Sequence, residues 1–425
     1  MKYTILIFFL VININLLPGQ ETIKIDSAGY KSLIKRIEYL ENKALKQEEG
    51  DELKKLLEDA SQLTNKIKEE EIDISKKFYS GVRQQQGLNP NISVLGDFFG
   101  AISNINEEAI TEPGDYTHGN NGLYMRSLEL SFVAPLDPFA RGKAFLDISE
   151  TGISIEEAYM ELLNLPLKMS VKAGVFFPEF GLLNRHHTHA LPQFDRPGVC
   201  VNYFGLDGFN GMGTAINFML PGLLFADASS FDVSVINVND NQSYSSDNSV
   251  NLICIGHFKN YYDLSEASYF EYTLSAVGGQ NDDNTGNHTY IGSLGLHYKW
   301  QPPGLSKYKS MDWKSELYYG FNETAAGIVR SKGFYTSIHR KLNTRLWAGG
   351  RAGYSEMPYD KGQYEWDYTL NVDFWQSEFV FYRIQYQYNS RNQLFLPGYS
   401  GQVPSNHALI LQFSWAMGPH KHEAY

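Results

Sequence analysis

The chain has few cysteines and little positive charge. Only two cysteines occur in 425 residues, Cys200 and Cys254, too few for a disulfide framework. One bridge and two free thiols are both compatible with the sequence, and free thiols are favoured because the two residues lie in different predicted segments. The formal net charge is −12, so no basic patch is available to neutralise phosphates, and nucleic acid is not an expected partner.

The sequence also lacks the motifs of common catalytic sites. It has no nucleophile elbow, no glycine-rich phosphate loop and no Cys-x-x-Cys pair. Serine, histidine and aspartate are present, but their spacing does not indicate a catalytic triad. The sequence therefore does not predict an enzyme.

The N-terminal part of the chain has two segments of different character. An apolar run from Ile5 to Leu17 is too short to cross a bilayer as a helix, and it predicts an export signal peptide over residues 1–20. Residues 21–80 have helical periodicity and many Lys and Glu residues, which predicts a periplasmic coiled coil or a helical hairpin. A solvated helical spacer is the alternative for this segment.

Aromatic residues are abundant, at 14% with 28 tyrosines, and there are 37 glycines. From residue 89 onward, apolar and polar residues alternate as in strands with one face toward lipid and one toward water. The clearest run extends from Tyr364 to Phe374, has aromatic residues at both ends, and is long enough to cross a bilayer as a tilted strand. Counting such runs predicts an all-β transmembrane barrel of about 16 antiparallel strands over residues 89–425.

The predicted connections between strands are of two kinds. Some are short, such as Leu165-Pro166-Leu167, and others are long and polar, such as 104–122 and 391–406. In membrane barrels the short turns face the periplasm and the long loops face outward. If the first strand rises from the periplasm, the connection after strand five, residues 176–211, is an external loop able to fold inward and narrow the pore.

Three of the chain's 11 histidines lie in this loop. His187 and His189 are two residues apart, so an extended backbone directs both imidazoles to one side and His186 to the other. The pair predicts a site for one divalent metal ion, with Asp195 or Asp207 as the carboxylate ligand. Histidines that only fill a solvated loop are the alternative.

Charged residues of the same loop are suited to a constriction. Arg185 and Arg196 favour anions, whereas Asp195, Asp207 and Glu179 oppose that preference. A loop packed only for barrel stability is the alternative. The predicted pore-constriction residues are Arg185, His186, His187, His189, Asp195 and Arg196.

Several short segments resemble a known family. They are Asn89-Pro90-Asn91-Ile92-Ser93, Glu156-Glu157-Ala158-Tyr159, Ala173-Gly174-Val175-Phe176-Phe177, His187-Thr188-His189, Phe194-Asp195-Arg196-Pro197 and the tail Gly418-Pro419-His420-Lys421-His422. On these residues the chain resembles bacterial outer-membrane proteins labelled zinc-regulated TonB-dependent receptors and, more loosely, coiled-coil-bearing phosphate-selective porins. The receptor label implies a larger barrel with an N-terminal plug. Too few residues precede the predicted barrel for a plug, and this favours a passive channel.

The combined patterns predict a Gram-negative outer-membrane protein without a cofactor, unless the histidine pair binds zinc. Its expected partners are membrane lipid and small hydrophilic solutes or ions, and a homotrimer is a possible assembly. The predicted function is passive diffusion through a porin-like channel. Two alternatives stay open, a metal (zinc) receptor or uptake protein that uses His187 and His189, and a structural envelope anchor that acts through residues 21–80.

Overall fold

A computed structural model gives the structure of the chain. It describes residues 90–104, 121–149, 152–238, 242–244, 252–281, 286–392 and 405–418. The signal peptide predicted over 1–20 and the helical segment predicted over 21–80 lie outside these residues. The described residues all belong to the unit formed by residues 85–425. Among them, no helix is both long enough and apolar enough to cross a membrane.

Sixteen antiparallel strands form one closed barrel, which confirms the predicted fold class. The strands are β1 Asn91–Ser103, β2 Gly122–Asp137, β3 Ala140–Ser149, β4 Gly152–Leu165, β5 Met169–Phe176, β6 Gly211–Leu220, β7 Ala228–Asn237, β8 Leu252–Ser265, β9 Ser268–Gln280, β10 His288–Trp300, β11 Ser310–Thr324, β12 Gly327–Lys341, β13 Leu346–Glu356, β14 Tyr364–Trp375, β15 Val380–Arg391 and β16 Asn406–Met417. Each strand pairs with its neighbours in chain order, and β1 pairs with β16. The closed sheet has no free edge, as lipid requires.

Alternation along the strands separates an apolar outer face from a polar inner face. On β14, Trp366 and Leu370 are exposed on the outside, whereas Asp367 and Asn371 are buried inside the barrel. Side chains in a strand have a period of two, so a sequence that alternates in this way presents its apolar half to lipid. The barrel is therefore a transmembrane barrel of an outer membrane.

The longest connections all leave the same end of the barrel. They are residues 104–121, 177–210, 238–251 and 392–405, and each follows an odd-numbered strand. Connections at the other end include short ones, such as the turn between β2 and β3 and the turn at Pro166–Lys168. By the usual arrangement of membrane barrels, the end with the short turns is periplasmic.

One sector of the inner wall is apolar. Ile236 on β7, Ile253 and Ile255 on β8, Val277 on β9 and Ile291 on β10 are all buried inside the barrel. An apolar wall facing only water would be unfavourable, since hydrophobic burial gives roughly 25 cal/mol per Å². This sector therefore requires a protein segment inside the barrel to cover it.

The lipid-facing side of β14 gives a test of the fold. Leu370 is 65% exposed near the middle of this strand. Leu370→Arg should destabilise the barrel by about 2–4 kcal/mol, because an arginine there faces the bilayer midplane. Leu123, near the outer end of β2, is the control, since Leu123→Arg should cost only about 0–1 kcal/mol. Urea unfolding in lipid vesicles measures both. Equal losses for the two variants would contradict the proposed bilayer position.

Candidate functional site: the loop inside the barrel

Residues 177–210, which connect β5 to β6, lie inside the barrel and are called the lumen loop below. The loop makes hydrogen bonds to Ser275 on β9, Arg351 on β13 and Gln385 on β15. It also contacts Glu129 on β2 and Glu157 on β4. These strands surround the lumen, and a single segment can reach all of them only from the inside. The loop thus crosses the lumen from β5 and β6 to the opposite wall.

A hydrophobic core joins the lumen loop to the apolar sector of the wall. A short helix in the loop, α1 (Gly198–Phe204), has Val199 and Tyr203 completely buried. These residues share one cluster with Phe180 and with Tyr318 and Tyr335 of the wall. Burial of each large apolar side chain contributes about 1.5–3 kcal/mol. The hydrophobic effect is therefore the main force that holds the loop inward.

Asn184 and Arg196 connect distant parts of the loop. The Asn184 amide donates to the carbonyl oxygens of Pro178 and Phe209 (both 3.0 Å), and its Oδ1 accepts from the Phe209 N–H (3.0 Å). The Arg196 guanidinium donates to the carbonyl oxygens of Leu183 (2.8 Å) and His186. Burial lowers the pKa of Arg196. Arg196, predicted as a constriction charge, therefore holds the loop in its folded form.

The far end of the loop is bonded to β13 and β15. Asp195 accepts hydrogen bonds from Arg351 Nη2 (3.1 Å), Gln385 Nε2 (3.1 Å) and Gln387 Nε2 (2.9 Å). Arg351 also donates to Asp367 through Nε (2.9 Å). The Asp195 carboxylate, which the sequence suggested as a metal ligand, thus belongs to an ion-pair network with the wall.

On the β2 side, Arg126 contacts the same end of the loop. Its guanidinium lies 4.2 Å from the centre of the Phe194 ring and donates to the Phe194 carbonyl oxygen. It also donates through Nε to Asp97 on β1 (2.8 Å). Arg126 is the extra residue of a β-bulge, because Asp97 pairs with Ser127 while Phe98 pairs with Met125. A bulge of this kind turns a side chain toward the opposite face of the sheet from the one that strict alternation would give it.

His187 lies among three carboxylates of the wall. Its Nδ1 is 2.8 Å from Glu129 and 3.2 Å from Glu156, and its Nε2 is 3.1 Å from Glu157. His189 Nδ1 is 3.7 Å from the same oxygen of Glu129. Burial opposes protonation of His187, but Glu156 and the hydrogen bonds to the carboxylates outweigh it and raise its pKa well above the usual value. The structure thus brings His187 and His189 to the same carboxylate, but residues Thr188–Ala190 form a short 3-10 helix and not the extended backbone assumed in the spacing argument.

Glu129 and Glu156 are neighbours of the histidines that sequence reasoning did not find. Phe145 pairs with Glu157 and Leu146 with Ile155, so Glu156 is the extra residue of a second bulge. The bulge lets two consecutive glutamates face the lumen. Two adjacent charges within a lipid-crossing strand are the signal, since strict alternation would direct one of them into lipid.

On the periplasmic side of the loop lies a cavity of about 240 Å³, called the inner cavity. Arg185 and His186 line it, and Arg185 Nη1 is 2.9 Å from Glu179. Burial opposes ionisation of Glu179, but Arg185 outweighs it and holds the pKa of this carboxyl well below its usual range. Burial, together with the charge of Arg185, lowers the pKa of His186 well below its usual value. The charge of Arg185 is therefore largely compensated.

On the opposite side of the loop lies a larger cavity of about 600 Å³, called the outer cavity. Its lining includes His189, Asp195 and Arg196 from the loop and Asp147 and Glu156 from the wall. Of the six residues predicted for a constriction, three therefore line the outer cavity and Arg185 and His186 line the inner one. His187 contacts the wall.

No protein-family model matches the chain. Over 150 residues the chain is 30% identical to an uncharacterized protein of Aquifex aeolicus (strain VF5). This match covers 32% of this chain and 32% of the relative.

Comparison with solved structures finds porins. An anion-selective porin from Comamonas acidovorans matches with a TM-score of 0.53 and 11% identity, covering 77% of this chain and 99% of the porin. Pseudomonas putida OprB matches with a TM-score of 0.53 and 11% identity, covering 80% of this chain and 97% of OprB. Salmonella typhi OmpF, in complex with daunomycin, matches with a TM-score of 0.52 and 10% identity, covering 78% of this chain and 99% of OmpF. The likeness is one of fold. The chain has the barrel architecture of outer-membrane porins, and the zinc-regulated receptor label stays a prediction.

Cys200 reports on the docking of the lumen loop. Both cysteines are free, and Cys200 Sγ lies 3.3 Å from the Tyr318 hydroxyl in the hydrophobic cluster. Burial raises the pKa of the Cys200 thiol to about 12. At pH 8 iodoacetamide should therefore label Cys200 only after unfolding in urea, as measured by mass spectrometry, because the thiolate is the reactive form. Rapid labelling of Cys200 in the folded protein would mean that the loop is not docked.

Proposed function

We propose that the chain is an outer-membrane channel for passive diffusion of small hydrophilic solutes or ions. The observation that carries the proposal is the lumen loop, which divides the interior of a porin-type barrel into two cavities. A barrel of 16 strands is wide enough for an aqueous channel, and an inward-folded loop reduces its cross-section. The loop is then the element that sets the size of the solute.

In this proposal the narrowest section of the channel lies at the loop segment from Arg185 to Arg196. Arg185 and His186 line the inner cavity, whereas His189 and Asp195 line the outer cavity. A solute that moves from one cavity to the other has to pass this segment. Cavities of about 600 Å³ and 240 Å³ suit small molecules and ions.

Charge at the two cavities favours cations at the outer entrance. Asp147, Glu156 and Asp207 line the outer cavity. Arg126 and Arg391 line it too, but they are paired with Asp97 and Glu365. Arg196, which the sequence suggested as an anion-favouring charge, donates its hydrogen bonds to loop carbonyls, and Arg185 is paired with Glu179. Neither arginine therefore supplies a free positive charge to the channel. Rings of acidic side chains favour cations in channels.

The channel proposal competes with the envelope-anchor alternative. The anchor hypothesis concerns residues 21–80, which lie outside the described part of the chain. An anchor needs only a folded barrel, whereas a channel needs a continuous path past the lumen loop. Conductance therefore separates the two.

A cysteine at position 186 tests whether the loop is in the conducting path. His186→Cys, made in a Cys200→Ser/Cys254→Ser background, should conduct until a bulky charged methanethiosulfonate reagent is added on the periplasmic side. Modification should then lower the single-channel conductance several-fold, because the added group occupies the inner cavity. Planar-bilayer recording measures the change.

The matched control is Leu305→Cys in the same background. Leu305 is 52% exposed in the connection between β10 and β11 at the periplasmic end of the barrel, so its modification should leave conductance unchanged. Unchanged conductance after confirmed modification at position 186 would show that solutes bypass the loop. Absence of conductance in the unmutated protein would favour the anchor.

Asp207 tests the charge of the outer entrance. It is exposed, lines the outer cavity and accepts a hydrogen bond from Thr188 (3.4 Å). Asp207→Lys should shift the reversal potential in a salt gradient toward anions, because it replaces a negative charge with a positive one at the entrance. Asp360→Lys makes the same charge change in the exposed connection between β13 and β14 and should have a smaller effect. Equal shifts for both variants would show that overall charge, and not the entrance, sets the preference.

A further inference from the structure

Two histidines of the lumen loop and one carboxylate of the wall form a compact buried group. The ligand atoms of Glu129, His187 and His189 all lie within 4.8 Å of one another. The exposed fractions of these three residues are 0%, 5% and 8%. Among the described residues, Asp195 is not part of this group, since its carboxylate is bonded to Arg351, Gln385 and Gln387.

The spacing of the group resembles that of a metal centre. In a tetrahedral zinc site with bonds of about 2.0–2.1 Å, neighbouring ligand atoms are separated by about 3.3 Å. Glu129 Oε2 is 2.8 Å from His187 Nδ1 and 3.7 Å from His189 Nδ1, values on either side of that separation. Glu156 Oε2, at 3.2 Å from His187 Nδ1, is in position to be a fourth ligand. The ligand atoms of Glu129, His187 and His189 are thus close enough together to surround one ion, and Glu156 lies beside His187.

Nε2 of His187, the ring nitrogen that would not bind the metal, has the hydrogen-bond partner that is usual for a metal-binding histidine. Its Nε2 lies 3.1 Å from Glu157 Oε2, and Glu157 Oε1 accepts a hydrogen bond from the Phe177 N–H (3.1 Å). Histidines that bind metal through one nitrogen commonly donate the other N–H to a carboxylate, which fixes the ring. With Nε2 bonded to Glu157, a metal ion would be bound through Nδ1, the atom that faces Glu129.

Charge and access also suit a cation. Glu129, Glu156 and Glu157 surround one imidazole, and a single imidazolium carries only one positive charge, so a divalent ion would neutralise the cluster more completely. His189 and Glu156 line the outer cavity, which provides an entry path. Asp147, on the same lining, adds to the negative potential along that path.

We propose that Glu129, His187 and His189 bind one divalent transition-metal ion of the Zn²⁺ class, with Glu156 as the fourth ligand. Imidazole nitrogens with carboxylate oxygens form a donor set that suits zinc. The site is independent of whether the chain conducts solutes. Because His187 and His189 belong to the lumen loop while Glu129 and Glu156 belong to β2 and β4, a bound ion would cross-link the loop to the wall.

Metal binding is measured on the full chain refolded in detergent and treated with EDTA. All proteins carry His420→Ala/His422→Ala, because the tail offers a separate His-x-His pair. Calorimetric titration with Zn²⁺ should give one site per chain. His187→Ala, His189→Ala and the near-isosteric Glu129→Gln should each weaken binding at least tenfold. Glu157→Gln should weaken it about tenfold or more, as loss of an outer-sphere partner does.

Two histidines provide matched controls. His186→Ala removes the adjacent imidazole, which lines the inner cavity, and should leave Zn²⁺ affinity unchanged. His297 lies between Glu271 (3.0 Å) and Asp312 (3.3 Å) in a second histidine–carboxylate cluster. His297→Ala should also leave the affinity unchanged. Loss of binding in either control, with binding retained in His187→Ala, would place the ion elsewhere and overturn the proposal.

A measurement on the parent protein keeps the test decisive if a variant does not fold. Hydrogen exchange with and without Zn²⁺ should show added protection at 127–131 and 185–190. It should show none at 297–299 on β10 and 312–314 on β11, which line the inner cavity. Absence of stoichiometric binding would overturn the proposal and leave His187 as an imidazolium held by carboxylates alone. Binding without added protection at 127–131 and 185–190 would also overturn it.

Discussion

Closure of the sheet is the constraint on which the rest of the structure depends. Within a bilayer every backbone N–H and C=O group needs a partner inside the protein, so β1 must pair with β16. Closure fixes one face of every strand toward lipid and the other toward the lumen. The polar inner residues are then available for ion pairs and hydrogen bonds that would be too costly in lipid. The lumen loop uses this inner surface.

The lumen loop is held by two kinds of interaction on opposite sides of the barrel. On the side of β7 to β12 it shares a hydrophobic core with wall residues such as Ile253 and Tyr335. At its far end it is held by charged hydrogen bonds, of which those of Arg351 to Asp195 and Asp367 are representative. The first supplies most of the burial energy, and the second fixes direction and register. Together they give an inward loop a single position.

The distribution of charge follows from this arrangement. Arg185, Arg196 and Asp195 are used to fold or attach the loop, so they contribute little free charge to a passing solute. The acidic residues of the outer cavity and the group around His187 are the places where charge is concentrated near the lumen. Structural and functional charges therefore lie only a few residues apart in the same loop, and residue type alone does not separate them.

The sequence by itself determined the barrel, the strand number and the position of the loop after strand five. Period-two alternation has a direct cause in strand geometry, and runs such as β14 show it without interruption. Local spacing also selected His187 and His189 as a pair, although the extended backbone assumed for them is a 3-10 helix at Thr188–Ala190 in the structure. Only the tertiary structure decided that Glu129 and Glu156, and not Asp195, face these histidines. Those contacts join residues that are far apart in the chain. They also depend on the bulge at Glu156, where strict alternation fails because one extra residue changes the phase of the strand.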